Sequence, residues 1–131
     1  MTKFQEKREK FSLSVLRLRE AVLECEKGAT DIMKDGLIQR FEFCTELAWK
    51  ALREYLLDQG YVELNSPKSV MRKAYADGLV ADETMWLSIL EDRNRTSHLY
   101  DERTADEIFM RISKSYLSGF EALAKILNNA S

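Results

Sequence analysis

Very little in this chain would interrupt a helix. Of 131 residues, one is proline and five are glycine, the two residue types that most readily break helices. Long helices are therefore permitted. Histidine is equally scarce: there is one, beside two cysteines. That set cannot assemble an ordinary four-ligand zinc site, so no metal is expected. Cys25 and Cys44 fall at apolar helical positions and read as buried, reduced thiols of a cytoplasmic protein. No apolar run approaches the roughly 18 residues of a membrane span. The opening "MTKFQEKREKFSLS" is too charged for a signal peptide. The expectation is a soluble, cytoplasmic protein with no membrane partner. There is no large excess of either charge, since 20 basic side chains face 22 acidic ones. This argues against broad, charge-driven binding to nucleic acid or anionic membrane, but leaves room for a local basic patch. Strand-like alternation, internal repeats and low-complexity segments are missing as well.

What remains is helical periodicity. Phe4, Phe11, Val15, Leu18, Val22, Cys25 and Ala29 recur in steps of seven, four and three, marking one apolar stripe on a first helix over 3–27. Leu37, Phe41, Cys44, Ala48, Ala51 and Tyr55 mark a second, over 31–59, with Gly60 placed to end it. Ser66-Pro67 starts a short third helix, the serine capping and the proline fitting the first turn; Asp77-Gly78 stops it. A fourth begins near Asp82 and carries Met85, Trp86, Ile89 and Leu90. A fifth begins at Thr104, where "TADE" matches a capping box, and continues through Ile108, Ile112, Tyr116, Phe120, Leu123 and Ile126. The expected fold is all-α: a single domain over 1–131, an antiparallel four-helix up-and-down bundle with the short third helix inserted.

One stretch concentrates chemistry. "EDRNRTSHLYDE", Glu91 to Glu102, holds the only histidine, with Arg93 and Arg95 before it and Tyr100 after it. In a continuous helix, Arg93 and His98 lie about 140° apart and share no face. If the helix loosens near Ser97, both can turn towards one cleft. Histidine titrates near neutral pH and moves protons. Arginine clamps phosphate oxygens. Tyrosine donates a hydrogen bond, stacks on a base or accepts a modification. Together they suit binding a phosphodiester and assisting attack by a ribose 2′-hydroxyl without a metal. Two copies of the motif meeting across a two-fold axis would double the positive charge. The spacing alone fits equally well with a helix end whose cations complement the macrodipole.

On the second helix, Glu42, Glu46, Trp49 and Arg53 lie three or four residues apart beside the apolar stripe. They form either a solvated face with a Glu46–Lys50 pair or a polar seam against the fourth helix or a second subunit, where a glutamate orients Arg93. Phe4, Phe11, Phe41, Tyr55, Tyr116 and Phe120 read as core rather than base-stacking platforms, and Trp86 as core or dimer contact. The run "KFQEKREK" reads as a solvated face with no role.

The extended motif R-x4-H-x-Y, Arg93 to Tyr100, the surrounding "LEDRNRTSHLYDE", and "FEFCTELAWKALREYL" at Phe41 to Leu56 resemble the HEPN superfamily. The likeness is in particular to the small proteins named nucleotidyltransferase substrate-binding proteins, over nearly the whole chain. The resemblance implies a metal-independent endoribonuclease, the toxin of a pair similar to type VII toxin–antitoxin systems, partnered by a minimal nucleotidyltransferase antitoxin. It implies a catalytic pair, Arg93 and His98, acting from both protomers of a homodimer or higher oligomer. Tyr100 would be adenylylated by the partner, with ATP as donor and no cofactor on this chain. Asn94 or Arg95 would help hold RNA; from the second-helix pattern rather than from the resemblance, Glu46 is a candidate to support the site. A nucleotidyl group on Tyr100 would put bulk and negative charge where an RNA phosphate belongs. The alternative is a non-catalytic subunit that binds a nucleotide or substrate and presents it to the nucleotidyltransferase.

Overall fold

The computed structural model describes residues 1–98 and 101–130. Its helices are α1 (Lys3–Glu26), α2 (Asp31–Asp58), α3 (Pro67–Ala76), α4 (Glu83–Arg95) and α5 (Glu102–Arg111), followed by a π-helical turn (Ile112–Tyr116) and α6 (Leu117–Asn128). Each α-helix from α1 to α5 starts on a side-chain oxygen that accepts from an orphan backbone N–H of the first turn. Thr2 and Ser66 make full capping boxes, while Thr30, Asp82 and Asp101 cap with one bond. The expected stop at Gly60 is a Schellman motif: with φ at +95°, Gly60 lets Tyr61 N–H reach Leu56 O at 3.1 Å. A side chain with a Cβ is disfavoured in that conformation.

Four helices meet on one ring. Phe120 of α6 packs edge-on against Phe11 of α1, Phe41 of α2 and Trp86 of α4, with centroids 5.4–6.3 Å apart. Phe11, Phe41 and Phe120 are fully buried, each worth roughly 1.5–3 kcal/mol by transfer from water. α2 is the central element: it touches α1, α3, α4, α5 and α6. The short α3 bridges α2 and α4, as expected of an insert. The all-α bundle is therefore the observed architecture. Among the described residues, no helix is long and apolar enough to cross a membrane.

The last helix departs from expectation twice. It starts at Glu102 rather than at Thr104, because Asp101 takes the cap. The Asp101 carboxylate accepts from Arg103 N at 3.0 Å and from the Thr104 hydroxyl at 3.2 Å, so that hydroxyl is spent inside the first turn. The helix is also not a regular α-helix throughout. Its apolar residues Ile108, Ile112, Tyr116 and Phe120 recur in strict fours, and each step of four over-rotates an α-helix by about 40°. The wider π turn at 112–116 takes up the drift and keeps all four buried. After it the stripe continues through Leu123, Ala124 and Leu127, while Ile126 is exposed.

Candidate active site

α4 ends where the chemistry concentrates. Its regular turns stop at Arg95, and Thr96–His98 form a single 3₁₀ turn, so the helix does loosen around Ser97. The Tyr100 expectation lies outside the described residues, as does the side chain of His98.

Arg93 is anchored rather than free. Its Nη1 lies 3.1 Å from Glu42 Oε2 across the α2–α4 contact, and the Arg93 side chain keeps 26% of its surface. Thr96 closes the triangle. Its hydroxyl lies 2.8 Å from Glu42 Oε2 and 2.7 Å from Arg93 O, and the single hydrogen serves one of the two at a time. The polar seam is thus formed at Glu42, and the Glu46–Lys50 pair of the solvated-face alternative is formed as well. Glu46 instead lies 3.7 Å from Lys50 and borders, with Arg93 and Asn94, a cavity of about 570 Å³ between α2, α3 and α4. Asn94 is exposed at its rim. Arg95 turns the other way, to Glu91 at 2.8 Å and Asp92 at 3.1 Å.

Asp92 is what sequence reasoning missed. It is 1% exposed and accepts four hydrogen bonds: two from Arg111 (2.7 and 3.1 Å), one from the Tyr116 hydroxyl (2.6 Å) and one from Arg95 (3.1 Å). Tyr116 Oη also lies 2.7 Å from Ser88 Oγ, and its ring stacks on Phe41. Burial, then the bond to Asp92, pushes the Tyr116 hydroxyl up to about 12; the Asp92 bond raises Arg111 further above its ordinary range. A readable signal existed: Asp92 lies three residues after Ile89, so a carboxylate occupies the apolar stripe of α4. Such a group stays buried only if cations and donors surround it. The π turn delivers them, with Arg111 immediately before it and Tyr116 at its end.

The result is a helix end pinned on two sides. Glu42 holds Arg93 and the Asp92 cluster holds Arg95, so neighbouring arginines face different partners. Such an end holds guanidinium groups in place beside the 3₁₀ turn that carries His98, each of them paired with a carboxylate. Among the described residues, no group of three or more His, Cys, Asp or Glu side chains is placed to hold a metal.

Comparison with known proteins agrees with this architecture. The family model described as nucleotidyltransferase substrate binding protein like matches residues 6–129. A Thermus thermophilus protein of known crystal structure superposes with a TM-score of 0.83 at 32% identity, over 91% of this chain and 99% of that one. A Haemophilus influenzae protein, described as showing the fold of a substrate binding domain of a nucleotidyltransferase, superposes with a TM-score of 0.80 at 24% identity, over 93% and 99%. The probable ribonuclease HepT of Haemophilus influenzae is 31% identical over 86 residues, which are 63% of this chain and 59% of that protein.

Proposed function

The chain belongs to the nucleotidyltransferase substrate-binding protein-like family, and on that premise we propose that it is a metal-independent endoribonuclease, the toxin of a cytoplasmic toxin–antitoxin pair. The observation that carries the reading is Arg93, fixed by Glu42 at 3.1 Å on the helix end that leads into His98. A pre-positioned guanidinium stabilises developing phosphoryl charge without reorganising during the reaction. His98 takes the proton from a ribose 2′-hydroxyl. O2′ attacks the adjacent phosphorus and the P–O5′ bond breaks. The products are a 2′,3′-cyclic phosphate and a 5′-hydroxyl end, which receives a proton. Two protomers contribute their motifs to one site. A partner nucleotidyltransferase silences the toxin by transferring AMP from ATP to Tyr100: the phenol oxygen bonds to the α-phosphorus, the α–β phosphoanhydride bond breaks, and pyrophosphate and the phenol proton leave. Similarity to a probable ribonuclease supports the reaction class.

The test is RNA cleavage by purified protein in EDTA, with wild type beside His98→Ala. Cleavage persists in EDTA and is lost in the variant. Activity that chelation abolishes and added metal restores would overturn the mechanism. The family description itself favours a second reading, a non-catalytic module that presents a nucleotide to the nucleotidyltransferase. Growth arrest on expression without the partner distinguishes the toxin, since a passive module is tolerated.

A further inference from the structure

Two cavities share one wall, and that wall is Trp49. On one side lies the 570 Å³ cavity that reaches Arg93 and Lys68; on the other, a cavity of about 590 Å³ is bordered by Lys3, Lys7, Lys50 and Arg53. The acidic residues Glu6 and Glu54 border the second cavity, which keeps a surplus of two positive charges. Glu46 and Glu91 balance Lys68 and Arg93 in the first. Lys50 Nζ sits 6.0 Å from the Trp49 ring centroid and 3.7 Å from Glu46, so one cation marks the passage. Trp49 and Arg93, which border the first cavity, each carry a buried side-chain nitrogen, Nε1 and Nε, with no hydrogen-bond partner among the described residues. The chain as a whole is slightly acidic, so this basic surplus is a local feature.

We propose that these cavities form a track for single-stranded RNA, with a base stacked on Trp49, its neighbouring phosphate at Arg93 and Lys68, and the strand continuing over Lys3, Lys7, Lys50 and Arg53. The assignment rests on the ribonuclease reading and adds where the strand lies. An aromatic platform between cationic stretches is the general device for holding single strands, because every base has a π-face and every link a phosphate. Lys3 and Lys7 belong to "KFQEKREK", whose cations thereby acquire a role beyond solvation. The carboxylates of Glu46 and Glu91 repel phosphate in the first cavity but accept from the N–H groups of a base, which favours a base inside and phosphates at the rim.

The experiment uses the full chain carrying His98→Ala and a short fluorescein-labelled single-stranded RNA of mixed sequence, at low and moderate salt. Trp86 is buried, so emission that responds to RNA reports Trp49. RNA quenches that emission. Trp49→Leu weakens binding about tenfold or more, and Trp49→Phe, which keeps a ring, largely retains it. Lys3→Ala with Lys7→Ala lowers affinity and reduces the salt slope by roughly 0.7 per cation removed. Melting temperatures of the variants show that they fold. Unchanged affinity and slope in both the Trp49→Leu and the lysine variants overturns the track, and wild-type cleavage then leaves the ribonuclease reading standing. No RNA binding at low salt also overturns the track. Binding through Trp49 without cleavage by the wild type preserves the track and removes the nuclease.

Discussion

Replacing Asp92 by alanine tests the buried cluster most directly. The carboxylate accepts four hydrogen bonds, but their losses are unequal. Arg95 is half exposed and keeps Glu91, and Arg111 is 37% exposed, so both guanidinium groups recover water. Their pairing is worth little after that screening. The Tyr116 hydroxyl is buried and falls back on Ser88 alone. Losing a charged acceptor there costs about 1.5–3 kcal/mol, and the vacated volume adds roughly 1 kcal/mol. The sum is about 3 kcal/mol. For a domain of this size each kcal/mol lowers Tm by roughly 4 °C, so Asp92→Ala melts about 12 °C below wild type by calorimetry or circular dichroism. Tyr116→Phe alone costs less, and the double variant costs less than the sum, because both remove the same bond. A change in Asp92→Ala under about 0.5 kcal/mol, or strict additivity, would refute the picture of a coupled buried network.

Glu42→Ala frees Arg93; RNA cleavage falls about 10–100-fold while stability changes by less than about 1 kcal/mol, and full activity would show that the Glu42 contact is incidental. Tyr116 is neutral in the fold and titrates near 12, above the ordinary value of about 10. Its contribution is therefore complete below pH 10 and lost as pH rises through about 12; Tyr116→Phe flattens the fall in stability across that window. Gly36 sits inside α2 with open space around its missing Cβ, so Gly36→Ala raises stability by about 0.5–1 kcal/mol in denaturant unfolding.

Most of the fold was legible because it rests on local rules. The stripes of α1 and α2 placed Phe11, Leu18, Phe41 and Ala48 in the core, where they lie. Ser66-Pro67 and Gly60 marked boundaries through backbone chemistry that needs no tertiary partner. Thr104 failed because two capping candidates stood three residues apart, and propensity does not rank a threonine box against an aspartate that bonds two groups at once. The site was legible as residue types and not as pairings. The interaction of Arg93 with Glu42 spans α2 and α4, and which of Glu42 and Glu46 reaches the arginine depends on a helix rotation that stripes alone do not fix. Asp92 escapes any reading that weighs it with its charged neighbours instead of with the apolar positions three and six residues before it.

The π turn at 112–116 also acts as a phase adapter. It inserts extra helical length between two sets of obligations: Arg111 must face Asp92, and Phe120 must face Phe11, Phe41 and Trp86. Deleting one residue there would restore a regular α-helix and leave the stretches before and after it in the same phase, whereas deleting one residue elsewhere in α5 or α6 would turn what lies beyond it by about 100°. Only the second kind of deletion would cost the aromatic hub or the carboxylate cluster its partner. The buried side chains of this segment are constrained by the core, but its residue count can fall by one. Among sequences of this kind, a chain one residue shorter between the last arginine of α5 and the aromatic of α6 should lack the π turn and keep both clusters.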